Sequence, residues 1–313
     1  MPDIPVWPQC NINCIFCSNP VSGYRDTGER YTFAEFEKKW KRYLETGHAF
    51  LKFDTGYDFI SLTGGEPTCN PDFLKILALL RKTWPDRPVQ LLTNARMCKY
   101  EKFCAPLMKI AGPSLEIKVP VCGYDAKTHE AITRTPGSFS DTVQGLRNMF
   151  ALRSAGQRIG VRIILNNIQL KWLEKLLVFL LDEFPELDRV ELLFVEYEGM
   201  AAHNLKALDV SMKKCGNELG RLAPLLRRFR ETGILHMPLC ALPMDLWPFA
   251  WRTLDPIKVL FAPQCARCRA RKYCVGIHRS YAAKKGTAEF RPFAAKPKIV
   301  ESGNLYRPVE KIL

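Results

Sequence analysis

Three cysteines near the amino end, Cys10, Cys14 and Cys17, stand in the run Cys-Asn-Ile-Asn-Cys-Ile-Phe-Cys. A C-x3-C-x2-C spacing puts three thiolates on one eight-residue loop, enough to wrap a cubane iron–sulfur cluster from one side. No fourth Cys or His occurs before His48, so one iron of such a cluster keeps an open position. A cage of four cysteines serves electron transfer, whereas a cage of three can also bind a substrate or cofactor at the bare iron. The competing use of such a loop is structural zinc, which wants a fourth ligand in reach.

A second motif, Thr63-Gly64-Gly65-Glu66-Pro67, directly follows a strand-like run. Glycines there let a ligand approach the backbone closely, and a neighbouring carboxylate can pair with an ammonium group. The cysteine triad with the aromatic Phe16 before its last member resembles the signature of the radical S-adenosylmethionine (SAM) superfamily. That resemblance implies that SAM chelates the open iron through its amino and carboxylate groups, and that Gly64, Gly65 and Glu66 receive the amino group. It places the backbone of Phe16 at the adenine, Asn94 at the wall of the same cavity, Asn166 as a polar contact and Arg134 at the SAM carboxylate. Relatives often carry a hydroxyl on the fourth strand for the ribose. This chain reads Glu116-Ile117-Lys118-Val119-Pro120 there, with Pro120 in the hydroxyl's place and Glu116 or Lys118 as substitutes.

A third constellation lies towards the other end: Cys240, then Cys265, Cys268 and Cys274 in a C-x2-C-x5-C spacing. Four thiolates match one fully ligated [4Fe–4S] cluster or a four-cysteine zinc knuckle. The spacing resembles the auxiliary-cluster regions called SPASM and twitch. A full SPASM region would place its next cysteine at His278, which implies a single auxiliary cluster here with His278 as an alternative ligand. Of the remaining cysteines, Cys69, Cys98, Cys104, Cys122 and Cys215, most read as buried packing thiols. Cys69, just past the glycine motif, and Cys122, at the end of a strand, are candidates to exchange a hydrogen atom or proton with substrate. His129 and His236 read as core or surface histidines, and Trp247 and Trp251 as packing for the small cysteine-bearing region.

These residues need a scaffold. Short, apolar, β-branched runs at 4–7, 58–62, 89–93, 115–121, 160–165 and 189–195 read as parallel strands buried on both faces. Helical patterns fall between and after them at 33–45, 72–82, 100–110, 140–154, 170–183 and 212–231. Pro71 and Pro85 bracket the second of these, and Ser140 is the expected cap of the fourth. Sixfold strand–helix alternation predicts an α/β fold with helices outside a parallel sheet, a partial (βα)6 TIM-like barrel with its site at the strand C-terminal ends. Domain boundaries are expected at 1–232 for the barrel, 233–286 for the auxiliary-cluster region and 287–313 for an extended basic tail.

With 313 residues, 47% hydrophobic and 25% charged, the composition is that of a globular protein large enough for a sizeable core. No apolar run is long enough for a membrane span, and the start is not a secretion signal. Clustered cysteines in a long chain read as metal ligands in a reducing cytoplasm rather than as a disulfide framework. The net charge is +14, and residues 265–313 carry twelve Lys or Arg against three Glu. Such a tail suits RNA, an acidic peptide or simply a solvated face.

The expected function is reductive cleavage of SAM to a 5′-deoxyadenosyl radical, which abstracts a hydrogen atom from a peptide or protein during oxidative side-chain modification. Auxiliary clusters of this spacing recur in enzymes that modify ribosomal peptides. The runs Gly137-Ser138-Phe139 through Gly145-Leu146-Arg147-Asn148, with Pro238-Leu239-Cys240, are distantly similar to the maturases of His-Xaa-Ser peptide systems. Only nine residues precede Cys10, so a separate partner is expected to deliver the peptide, and a flavodoxin or ferredoxin to supply electrons. The alternatives are an RNA-modifying enzyme, a radical dehydrogenase or mutase of sugars or nucleotides, and a non-enzymatic iron–sulfur scaffold. The glycine–glutamate motif speaks against the last.

Overall fold

The computed structural model describes residues 3–19, 28–46 and 59–313. The chain divides into two compact units. The first comprises Met1–Cys14, Asn19–Val121 and Asp125–Val161; the second comprises Ile15–Ser18, Cys122–Tyr124 and Arg162–Leu313.

The first unit opens with β1 (Asp3–Trp7), α1 (Phe33–Thr46), β2 (Ile60–Gly64), α2 (Phe73–Thr83) and β3 (Val89–Leu92). There follow α3 (Glu101–Ala111), β4 (Leu115–Pro120), α4 (Ala126–Thr133), α5 (Ser138–Leu152) and the start of β5 (Arg158–Leu165). The strands from β1 to β4 pair in parallel, each with the next. Leu62, Leu91 and Ile117 lie in one register row and are almost completely buried. The adjoining row is polar: Ser61 faces Gln90, and Gln90 faces Glu116. Strands apolar on both faces were the expectation. Instead side chains alternate as a pleated strand requires, and Gln90 donates to Glu116 at 3.3 Å. Asp58, expected to start the second strand, lies outside the described residues.

Local signals explain the helix bounds. Asp125 and Thr128 form a reciprocal capping box at the start of α4, a helix the apolar pattern alone does not reveal. The fourth expected helix begins two residues earlier than expected, at Ser138 with Gly137 as its cap at φ 78°. Ser140 is inside the helix and donates to the Gly137 carbonyl.

The second unit contains the rest of β5, α6 (Leu173–Glu183), β6 (Arg189–Phe194), α7 (Gly199–His203), α8 (Leu205–Leu208), α9 (Met212–Arg221) and α10 (Ala223–Leu226). The single helix expected over 212–231 is thus two, because Pro224 supplies no N–H for a continuous ladder. Two further parallel strands follow, β7 (Thr232–Leu235) and β8 (Ala250–Trp251). The main sheet runs β1 to β8 in chain order, an α/β fold consistent with a partial TIM-like barrel that continues past the six strands expected.

The remainder of this unit is short pieces: β9 (Val259–Leu260) pairs antiparallel with β10 (Ile277–His278), followed by α11 (Arg279–Lys285). The expected extended tail contains a two-stranded antiparallel sheet, β11 (Ile299–Glu301) with β12 (Val309–Ile312). Trp247 is fully buried and packs edge-on against Phe293 at 4.9 Å. Trp251 lies beneath the Arg189 guanidinium at 4.8 Å.

Candidate functional site

In the first unit the ends of β2 and β3 converge on the segment that carries Cys10. Gly65 donates its N–H to the Trp7 carbonyl at 2.7 Å, and Glu66 donates to the Gln9 carbonyl at 2.8 Å. Gly64 adopts φ +138°, and a Cβ there would sit 2.3 Å from the Trp7 carbonyl oxygen; one on Gly65 would sit 2.2 Å from that of Gln9. Two glycines are therefore needed for the backbone to run against the cysteine segment.

Glu66 is 1% exposed. Its Oε1 accepts from the Thr68 N–H and from the Thr68 and Thr93 hydroxyls, and its Oε2 accepts from the Asn94 N–H at 2.6 Å. Burial raises its pKa, and these four hydrogen bonds offset part of that rise. The carboxylate thus locks the β2 and β3 ends together, so its fit to a SAM role is as a positioning residue that sets the glycine backbone.

Asn94 is buried, and its Nδ2 donates to Asn11 Oδ1 at 2.7 Å and lies 3.8 Å from Cys10 Sγ. Arg96 donates to the Asn11 carbonyl and, through Nε and a terminal nitrogen, to Asp141 at 3.0 and 2.8 Å. Lys99 reaches the other Asp141 oxygen at 2.7 Å. Burial would raise the Asp141 pKa, but Lys99 and Arg96 overcome it and hold the carboxyl below its usual value. From the opposite side, Asn13 donates its N–H to the Thr133 carbonyl at the end of α4. The loop between Cys10 and Cys14 is thereby clamped at Asn11 and Asn13, a preorganised cradle for a cluster ligand set. Spacing arguments missed Asn11, Arg96 and Asp141; the only sequence signal was a polar stretch after a strand end.

Cys69 is half-buried, and the Asn11 backbone hydrogen-bonds to it. Burial first, and the Glu66 carboxylate second, push its thiol up to about 11. Lys118 is buried with its ammonium 3.9 Å from Glu116. Arg134 ends α4 in the left-handed conformation at φ 50°, with its side chain at the surface.

In the second unit, Ile15 and Cys17 offer their carbonyls to the Asn204 side chain and the Ala201 N–H. Phe16 between them is half-buried. Asn166 is fully buried, and its amide is engaged at both ends: Nδ2 donates to the Ile164 carbonyl while Oδ1 accepts from the N–H groups of Ile168 and Gln169. The residue expected to contact SAM caps its own turn. Cys122 is buried, and burial pushes its thiol up to about 12. It stays protonated at neutral pH.

Cys240, Cys265, Cys268 and Cys274 all line one cavity, with Pro238, Phe261 and Phe293 as apolar walls. Backbone N–H groups point at the sulfurs: Leu239 and Gly276 at Cys274, and Phe293 at Cys268, each at 3.4 Å. Burial, then the neighbouring thiols Cys274, Cys265 and Cys268, push Cys240 up to about 12. Four converging thiols with N–H donors behind them are a donor set that stabilises thiolates once a metal neutralises them. None of the twelve cysteines is in a disulfide.

His278 does not line that cavity. It is 2% exposed, with Nδ1 accepting from the Ser280 N–H at 3.1 Å and Nε2 3.7 Å from both Glu196 and Glu198. The expected alternative cluster ligand therefore belongs to a separate charged group.

The sequence profile of the radical SAM superfamily matches residues 4–179, more than half of the chain. GTP 3',8-cyclase of Haemophilus influenzae is 25% identical over 191 residues, 61% of this chain and 52% of that enzyme. Mycofactocin maturase MftC of Mycobacterium tuberculosis is 28% identical over 159 residues, 51% of this chain and 36% of that protein. The chain thus spans about half or less of these relatives' lengths. The crystal structure of Streptococcus suis SuiB bound to S-adenosylmethionine superposes with a TM-score of 0.62 at 14% identity, covering 93% of this chain and 76% of that one. That likeness is one of fold. Among the described residues no helix is long and apolar enough to cross a membrane.

Proposed function

The chain belongs to the radical SAM superfamily, and from that premise we propose that it oxidises a side chain of a peptide or protein substrate. SAM and a [4Fe–4S] cluster are the cofactors of that family. In this reading Cys10, Cys14 and Cys17 hold the cluster with the open iron, which supplies the electron that cleaves SAM. Gly64 and Gly65 offer backbone to the SAM amino group, Glu66 fixes them, and Asn94, Phe16, Lys118 and Arg134 are the further candidate contacts. Residues 1–232 then form the SAM-binding barrel, 233–286 an auxiliary-cluster region, and 287–313 a basic tail with the β11–β12 pair.

The observation that carries the peptide reading is the convergence of Cys240, Cys265, Cys268 and Cys274 on one cavity. Their full complement of four thiols suits a second [4Fe–4S] cluster able to take an electron from an oxidised substrate. SuiB of Streptococcus suis, similar in fold, is known in a crystal structure bound to its precursor peptide SuiA, which also supports a peptide substrate. The protein's own part is to hold the substrate beside the radical and to exclude water. The twelve unbridged cysteines suit a reducing compartment such as the cytoplasm, where a flavodoxin or ferredoxin is available as reductant.

A nucleotide substrate is the second reading, favoured by the match to GTP 3',8-cyclases. Co-expression with candidate peptides followed by mass spectrometry separates the two. The peptide reading expects a product lighter by two hydrogen atoms that depends on Cys14. An unchanged peptide panel, with GTP consumed instead, would overturn it.

A further inference from the structure

A partly buried group of charged side chains and histidines lies at the end of β6 and β7 in the second unit. Glu196 and Glu198 follow β6, and His236 follows β7 in a left-handed conformation at φ 63°. Lys258 comes from the turn before β9, and His278 from β10. The Lys258 ammonium bridges the two carboxylates, 2.7 Å from Glu196 and 2.9 Å from Glu198. Glu196 also has His236 Nδ1 at 3.3 Å and His278 Nε2 at 3.7 Å. Both ring nitrogens lack a hydrogen-bond partner, in side chains 8% and 2% exposed. Burial is the main cause that holds both imidazoles below their usual pKa and hence neutral. Burial would depress Lys258 as well, but Glu196 and Glu198 outweigh it. Two carboxylates thus face one ammonium, in side chains 14% exposed at Glu196 and 36% exposed at Glu198 and Lys258.

Glu196, Glu198 and His278 are close enough together to share a metal ion. The histidine's hydrogen bonds argue otherwise. Ser280 donates its backbone N–H to His278 Nδ1, and its hydroxyl lies 2.8 Å away while accepting from the Tyr197 N–H. With Nδ1 as acceptor, the neutral ring carries its hydrogen on Nε2, so it presents a donor to the carboxylates and no lone pair for a metal. The arrangement is a carboxylate held by a lysine, with an oriented imidazole nitrogen 3.7 Å away and not hydrogen-bonded to it.

His236 is separated from Cys240, and Cys274 from His278, by three residues each, and the Leu239 N–H donates to Cys274 Sγ. The two histidines of the charged group are therefore carried by the same two segments as Cys240 and Cys274. Strand C-terminal ends are also where substrates sit in folds of this class.

We propose that Glu196 accepts the proton released when the substrate is oxidised, with Lys258 and His278 as positioning residues. The inference rests on the peptide-oxidation reading. The substrate carbon gives a hydrogen atom to the 5′-deoxyadenosyl radical, forming 5′-deoxyadenosine. The resulting substrate radical would lose one electron, for which a [4Fe–4S] cluster held by Cys240, Cys265, Cys268 and Cys274 would be the oxidant, and one proton to Glu196 as the new bond forms. The charged groups facing this carboxylate are Lys258, His236, His278 and Glu198; Arg162 and Glu191 lie in the next ring, around His236.

The test uses the cluster-loaded protein. Glu196→Gln should keep iron content, peptide affinity and 5′-deoxyadenosine formation but lose product roughly 100-fold or more, the range of general-base catalysis. Glu196→Asp should recover part of it. Lys258→Met should move the acid limb of the pH–rate profile to higher pH, since the ammonium no longer favours the ionised carboxylate. Infrared titration of the carboxyl band that Glu196→Gln removes should show the same displacement without turnover. Wild-type product formation by Glu196→Gln, or a loss of product matched by lost peptide affinity, would overturn the assignment. So would a carboxyl band indifferent to Lys258→Met. If the wild-type protein oxidises no peptide, the reading of function fails, and the infrared titration still decides whether Glu196 takes up a proton under Lys258 control.

Discussion

Glu66 and Asn94 are joined by a 2.6 Å hydrogen bond from the Asn94 backbone N–H to the Glu66 carboxylate, and the same Asn94 extends its side-chain amide to within 3.8 Å of Cys10 Sγ. The end of β2, the end of β3 and the cysteine loop are thus one hydrogen-bonded assembly. A glutamine at position 66 would place an NH2 group against donors that now meet a carboxylate. Each buried group left without its partner costs about 1–3 kcal/mol. Glu66→Gln is therefore expected to lower the unfolding free energy by about 2 kcal/mol or more and to weaken SAM binding, as read by chemical denaturation and equilibrium binding. Unchanged stability would contradict the clamp.

Arg96 connects Asp141 to the Asn11 carbonyl. Removing it leaves that carbonyl and the Asp141 carboxylate poorly satisfied and loosens the loop that carries Cys10 and Cys14. Arg96→Gln should release iron from the amino-terminal cluster faster under a chelator, while iron at the four-thiol cavity is retained. Metal analysis against time separates the two sites; equal loss from both would show a general unfolding instead.

The two cysteine sets should fail differently. Two clusters would bring about eight iron atoms per chain, and one about four. Cys14→Ala should abolish SAM cleavage altogether. Cys268→Ala should leave uncoupled 5′-deoxyadenosine formation while product disappears. Full product formation by Cys268→Ala would remove any redox role for the second site.

His129 is 1% exposed beside Phe139, and burial pushes its pKa down to about 4. Its folded value lies below the unfolded one near 6.5. The unfolded chain therefore binds the proton first as pH falls. The stability present above about pH 6.5 declines down to about pH 4, by an amount on the order of 3 kcal/mol. His129→Phe should flatten the pH dependence of the denaturation midpoint across that window; an unaltered slope would show that other groups set it.

Much of this scaffold could be read from the chain. β3, β4 and β6 begin at the expected residues because each is a short apolar run after a turn signal. The convergence of Cys240, Cys265, Cys268 and Cys274 on one cavity was also expected from their spacing, since ligand positions along a loop are a local property. What escaped was non-local. That Asp141 on α5 would brace Asn11 through Arg96 depends on packing among segments far apart in sequence. That the Asn166 amide would be engaged by its own loop was equally hidden, because it depends on the conformation of the turn after β5. His278 was judged by cysteine spacing, yet its ring is turned towards Glu196 and Glu198 by Ser280. The polar row Ser61, Gln90 and Glu116 was obscured by the apolar residues between which its members alternate.

Every role proposed above requires SAM to bind at an open iron held by Cys10, Cys14 and Cys17. The direct test is chromatographic measurement of 5′-deoxyadenosine after anaerobic cluster reconstitution and reduction in the presence of SAM. Wild-type protein should produce it and Cys14→Ala should not. Zinc or no metal at these thiols, together with no SAM affinity and no 5′-deoxyadenosine, would contradict the account.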